Sequence, residues 1–211
     1  FLLEVDAPLM SKEPTPVGDI AGEIGARIAA QVDNHSTLQL GIGAIPDAVL
    51  AALLQRKGMK IWTEMFSDGV LEMHKRGALD KNHPLTASFL FGSRELYDWL
   101  HLNNSVHMLR TEKTNDPGQI AKQAKMTSIN AALEVDLHDQ ANASYVRGEV
   151  YSGFGGSTDF IVGALHARGA HGHGLLPHLP RAAEPVPRHA GIRGTRGVRG
   201  GAGVPRPARA R

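Results

Sequence analysis

Apolar residues return along this chain in two rhythms. At Val17, Ile20, Ile24, Ile28 and Val32 they recur every three or four positions, which predicts a helix over 17–32 with one buried face, broken by Asp33 and Asn34. Short apolar runs then alternate with helical segments. The runs Leu38–Ile42, Lys60–Met65, Ala87–Phe91, Val106–Arg110 and Ile129–Leu137 read as strands. Between and after them, Pro46–Leu54, Val70–Lys75, a segment with Leu96, Trp99 and Leu100 on one face, Gly118–Lys125 and Thr158–Leu165 read as helices. Pro46 suits the first position of its helix, and Asn115-Asp116-Pro117 starts another. Strands alternating with helices of this length predict an α/β fold, a mostly parallel sheet with helices on both faces.

The pattern changes at both ends. Phe1–Pro16 reads as a strand followed by a polar, proline-containing linker, the exit of a preceding domain; 17–165 is the α/β domain. From 166 to 211 the chain is Gly, Ala, Pro, Arg and His with little else, a low-complexity basic tail expected to be disordered because it buries too little apolar surface to offset ordering. Charge divides at the same place. Of 23 basic and 21 acidic residues, nine Arg and one Glu fall within 165–211, a net of +8 there, which leaves 14 basic against 20 acidic residues and a net of −6 before it. The stretch RGTRGVRGG (Arg193–Gly201) resembles an arginine–glycine nucleic-acid arm, but no aromatic residue accompanies it for base stacking. Nine Arg without a Lys is also what a GC-rich gene read out of frame encodes. Nucleic acid is therefore not the expected partner.

Composition narrows the chemistry. There is no cysteine, which excludes a disulfide framework, a thiolate metal site and a cysteine nucleophile. No apolar run reaches the roughly 18 residues that cross a bilayer, and no basic-then-apolar leader opens the chain, so a cytoplasmic protein without membrane partners is expected. The start at Phe1, as if within a strand, suggests residues upstream. His171 and His173 lie in the biased tail and are not read as metal ligands; no metal site is expected.

The first chemical constellation is Gly41-Ile42-Gly43-Ala44-Ile45-Pro46, between a strand and a helix. Two glycines allow backbone N–H groups to approach an anion, and the helix start adds a favourable dipole. Glu64 follows about 20 residues on, at the end of the next strand, where a ribose-binding acid stands in dinucleotide folds. An NAD-binding oxidoreductase is thus one reading, with Pro46 in place of the third small residue counting against it. The other makes Glu64 a nucleophile toward an activated acyl group, fixed beside an anion-binding loop. Ser152-Gly153-Phe154-Gly155-Gly156-Ser157, ahead of a helix carrying Asp159, offers clustered N–H groups for an oxyanion or a phosphate. Glu134 and Asp136 alternate on a strand and form a candidate acid pair.

Together, LQLGIGAIPDAV, WTEMFSDGV, FGSRELYDWL, INAALEVDL and SGFGGSTDFIVGA resemble the acetyl-CoA hydrolase/transferase family, in the 4-hydroxybutyrate CoA-transferase branch of class I CoA-transferases. The resemblance spans about Phe1 to Leu165 and covers part of the family fold. It implies that Glu64 becomes a glutamyl-CoA thioester. It implies that Gly41, Ile42, Gly43, Ala44 and Ile45 contact coenzyme A, and that Gly153, Gly155 and Gly156 form a second contact, with Gly156 holding the thioester carbonyl oxygen. It further implies acyl-CoA and a small carboxylate as substrates, no permanently bound cofactor, hydrolysis as the alternative outcome, and a homodimer. His138-Asp139 departs from the small turn usual in the family. An inactive fragment with a nucleic-acid-binding tail is the remaining alternative for the literal 211-residue chain.

Overall fold

A computed structural model describes residues 4–138, 140–146, 148–153 and 155–169. The strand expected at the start falls partly on residues 1–3, outside them, and 4–16 carry no regular structure. The tail beyond 169, including His171, His173 and the arginine–glycine stretch, also lies outside the described residues.

Helix α1 (Asp19–Ala29) packs on α2 (Ala44–Ala52). Gly25 makes the crossing close, since a Cβ there would fall 2.6 Å from the Ala48 carbonyl carbon. Ile24, Ile28 and Val32 are buried as their spacing predicts, whereas Val17 and Ile20 are exposed. The amphipathic rhythm runs on, but the helix begins only at Asp19 and its first turn carries Ile20 in the open.

Strand β1 (Thr37–Gln39) lies between β2 (Lys60–Ile61) and β7 (Met126–Ser128), parallel to both. A parallel bridge from Trp62 to Thr86 joins β2 to β4 (Leu85–Ala87), which pairs in parallel with β6 (Val106–Met108). The order is therefore β7–β1–β2–β4–β6, the parallel sheet that the sequence predicts. Beyond it, β3 (Met65–Phe66) pairs in parallel with β5 (Phe89–Leu90). Consecutive residues on a strand face opposite sides. Ile61 enters a large core with Leu38, Leu40, Val49, Phe66 and Val70, while Trp62 packs on a smaller one of Ile120, Met126, Phe160, Ala164 and Ala167. Helices thus cover both faces: α1, α2, α3 (Asp68–Lys75) and α4 (Arg94–Leu100) on one side, α6 (Pro117–Ile120) and α7 (Ser157–Leu165) on the other. Packed structure continues past Leu165, since Ala167 is buried and the Arg168 carbonyl accepts the Lys125 N–H.

Several element boundaries differ from the sequence reading. The strands expected at Lys60–Met65 and Ala87–Phe91 are each broken in the middle. The helix expected at Gly118–Lys125 is one turn, Pro117–Ile120, preceded by another, α5 (Thr111–Thr114). Asp116 caps α6 by accepting from the Gln119 N–H at 3.0 Å, with Pro117 at its start. The α2 helix begins at Ala44, so Pro46 stands third, still in the first turn where its missing N–H costs nothing. The strand expected over 129–137 is reduced to β8 (Glu134–Val135), which pairs antiparallel with β9 (Ala141–Asn142); a second antiparallel hairpin, β10 (Tyr145–Val146) with β11 (Glu149–Val150), follows.

Candidate active site

The site is built where the β2 strand changes partner. The Trp62 N–H still bonds Leu38 on β1, at 3.1 Å, but the Thr63 N–H turns to Thr86 on β4, at 3.0 Å. The Glu64 carbonyl then accepts two successive N–H groups, from Ser88 at 2.9 Å and Phe89 at 3.1 Å. Glu64 therefore occupies a kink between β2 and β3 rather than the end of a strand. Its side chain is half-buried.

Thr63, fully buried, ties this kink to the glycine loop. Its hydroxyl donates toward the Leu40 carbonyl at 2.9 Å, sits 3.0 Å from the Met65 carbonyl, and accepts the Leu40 N–H at 3.2 Å. Gly41 to Ile45 follow directly at the carboxyl end of β1, the edge where open α/β sheets bind ligands. Gly43 has φ +114° and ψ −178°, a conformation reserved for glycine, and caps α2. Its surroundings, like those of exposed Ile42 and Ala44, are open, and Gly41 is approached only by the Pro46 ring at 3.7 Å from a virtual Cβ. Deeper at the same edge, Gln39, Ser128 and Asn130 form a closed hydrogen-bond group, with Ser128 Oγ donating to Gln39 Oε1 at 2.6 Å.

The second glycine segment also reaches Glu64. Gly156 is buried, and a Cβ on it would meet Glu64 Oε2 at 2.6 Å and the Asn115 amide nitrogen closer still. The carboxylate, the amide and the Gly156 backbone thus converge on one point. The approach is set by α7, which Gly156 caps and whose amino end carries partial positive charge. That helix lies against α6 through Gly163, where a Cβ would fall 2.5 Å from Ile120 and 3.1 Å from the Pro117 carbonyl. Gly155, at φ +56°, makes the preceding turn; it and Gly153 are exposed, with no atom within 4 Å of a virtual Cβ.

Of the residues read from the sequence, then, Glu64 and Gly156 come together; Thr63, next to Glu64, bonds Leu40 at the start of the Gly41 to Ile45 loop; and Gly153 and Gly155 are exposed in the turn before Gly156. Asn115 belongs to the same cluster, although its sequence context signals only the start of a helix. Glu134 and Asp136 do not form an acid pair. Glu134 Oε2 accepts from Asn142 Nδ2 at 2.8 Å, and Asp136 Oδ1 accepts the His138 and Gln140 N–H groups at 2.8 and 3.0 Å. Those two bonds, the Gln140 one foremost, hold the Asp136 carboxyl below its ordinary range. Both acids are spent on closing a hairpin.

The arrangement defines a class: a parallel α/β sheet whose carboxyl edge carries a glycine loop and a kink-borne carboxylate, faced by an amide and a helix-capping glycine. The crystal structure of 4-hydroxybutyrate CoA-transferase from Porphyromonas gingivalis has this fold, with a TM-score of 0.70 and 37% identity over 80% of this chain and 41% of that one. Residues 92–180 match the acetyl-CoA hydrolase/transferase C-terminal domain. Residues 92–180 thus carry the C-terminal domain of the acetyl-CoA hydrolase/transferase family, and the chain is similar to members of that family over part of their length. It is 38% identical to the 4-hydroxybutyrate coenzyme A transferase of Clostridium kluyveri over 175 residues, 80% of this chain and 41% of the relative. It is 36% identical to the succinyl-CoA:acetate/propanoyl-CoA:succinate CoA transferase of Fasciola hepatica over 176 residues, 80% of this chain and 37% of the relative. The chain spans about two fifths of the length of the curated relatives it matches. No helix among the described residues is long and apolar enough to cross a membrane.

Proposed function

We propose that this chain carries the nucleophile of a CoA-transferase that moves coenzyme A between an acyl-CoA and a small carboxylic acid, the 4-hydroxybutyrate or acetate class among them. The observation that carries this reading is the convergence of Glu64 Oε2, the Asn115 amide and Gly156. A Glu64 carboxylate oxygen attacks the thioester carbonyl of acyl-CoA; the carbon–sulfur bond breaks and CoA thiolate leaves. The thiolate attacks the Glu64 carbonyl of the mixed anhydride, releases the first acid as its carboxylate, and leaves Glu64 as a CoA thioester. A second carboxylate repeats the steps in reverse and restores free Glu64. No proton is gained or lost overall, and one thioester replaces another, so no ATP is needed.

Each tetrahedral intermediate bears an oxyanion. The Asn115 Nδ2 is the donor we assign beside the reacting carboxyl, and the Gly156 backbone lines the same point. The open glycines of 41–45 suit the phosphate-bearing part of coenzyme A. Water in place of the second carboxylate turns the same sequence of steps into hydrolysis, so exclusion of water separates the two outcomes.

The test is direct. After incubation of this chain with acetyl-CoA, peptide mass spectrometry should find CoA on the peptide containing Glu64. Glu64→Gln should abolish that adduct, and Glu134→Gln should leave it. An adduct at another residue, or no adduct at all, refutes the proposal.

A further inference from the structure

The two ends of the Asn115 amide are chemical opposites, Nδ2 a donor and Oδ1 an acceptor, and a half-turn about its last torsion exchanges them. Facing Glu64, Nδ2 supplies an oxyanion donor, whereas Oδ1 would supply a second acceptor that repels negative charge. While Glu64 is a carboxylate, its own charge favours Nδ2. Once Glu64 is bound as an anhydride or thioester that charge is gone, and the orientation needs another source.

A pair of hydroxyls, one buried and one half-buried, provides it. On the side away from Glu64, Asn115 Oδ1 lies 2.9 Å from the Thr114 hydroxyl. Thr114 is fully buried, and its hydroxyl is also 2.5 Å from that of Ser88. The remaining acceptor within reach, the Thr111 carbonyl, is farther, at 3.3 Å. Each hydroxyl has one proton. Ser88 donating to Thr114 and Thr114 donating to Asn115 Oδ1 uses the two shorter contacts and keeps Nδ2 toward Glu64. The frame around the pair is fixed as well. The Trp62 indole N–H donates to the Thr114 carbonyl at 2.9 Å, and the Ser88 N–H is one of the two donors to the Glu64 carbonyl. Ser88 thus holds the nucleophile by its backbone and the amide donor, through Thr114, by its side chain.

We propose that Thr114 is a positioning residue that fixes the Asn115 amide with its donor end toward Glu64, a role that rests on the reading of Glu64 as nucleophile. Thr114→Val removes the hydroxyl at nearly constant shape; Thr114→Ser restores it. In the isotopically labelled Glu64→Gln chain, whose side chain is uncharged as it is in the acylated enzyme, the Asn115 side-chain amide protons should show a nuclear Overhauser contact to the Gly156 Hα. That contact should weaken in Thr114→Val and return in Thr114→Ser. With acetyl-CoA, Thr114→Val should load Glu64 about 10-fold more slowly at saturation, with an unchanged half-saturating concentration and recovery in Thr114→Ser, a fraction of the 10²–10³ that follows complete loss of a donor. An undiminished contact in Thr114→Val, or no rescue by Thr114→Ser, overturns the assignment. If the unsubstituted chain never loads Glu64, the function fails instead, and the resonance measurement still decides the role of Thr114.

Discussion

Replacing Gly156 by Ala tests the site at the point where its groups meet. The backbone there has φ −88° and ψ 2°, which alanine adopts, so the change adds a methyl group without imposing a forbidden conformation. That methyl would lie 2.6 Å from Glu64 Oε2 and nearer to Asn115 Nδ2, well inside van der Waals contact. Both obstructing atoms end rotatable side chains, so they swing aside and the fold survives, with stability changed by about 1 kcal/mol or less for alanine at a helix cap. The displaced amide no longer reaches the oxyanion. Loss of one such donor costs about 2.7–4 kcal/mol of barrier, a 10²–10³-fold slower reaction. The assay is the rate of CoA attachment to the Glu64 peptide in quenched time courses, beside thermal melting of the same samples. A variant that loads at the unsubstituted rate refutes the reasoning. So does one that loses loading only in proportion to its unfolded fraction.

Three further outcomes test the frame. Gly25→Ala and Gly22→Ala gain the same helix propensity, about 1 kcal/mol, but only the former drives a methyl into the backbone of α2, at 2.6–2.9 Å; urea denaturation should separate the two by about 1–3 kcal/mol, with Gly22→Ala the more stable. Thr63→Val should destabilise by about 1–3 kcal/mol in the same measurement, because the Leu40 and Met65 backbone groups lose a buried partner. The Asp136 carboxyl is depressed below its ordinary 3.8 by the Gln140 and His138 N–H groups. Its contribution to the hairpin is therefore complete above the unfolded value and lost as pH falls through the lower folded one; amide protection at His138 and Gln140 should fade in that acid window alone, and Asp136→Asn should remove the pH dependence.

The order of strands and helices was legible because each buried run is short, bounded by polar or glycine turns, and followed by a segment of helical rhythm. Glu64 and the glycine segments stand out in the sequence as a lone acid and clustered glycines at strand ends, and the structure brings Glu64 and Gly156 into one cluster. The kink at Glu64 was not legible, since it arises when the chain exchanges β1 for the β4–β5 segment, a choice made by residues 86–89. Asn115 was hidden for the same cause: only the docking of α7 on α6 through Gly163 brings Gly156 to it. The two-residue strands of the 134–150 hairpins are too short to show alternation. The 17–32 rhythm overstated burial, because periodicity does not report where the covering partner ends.

With two consecutive amides clamped on the Glu64 carbonyl, the main chain there is a rigid mount. A bulky passenger attached to that side chain can be swung only about its own torsions, so room for cargoes of different size has to come from the surrounding loops. Under the proposed function, tuning which acids are handled and preserving the anchorage are thereby separate tasks, assigned to separate stretches of chain.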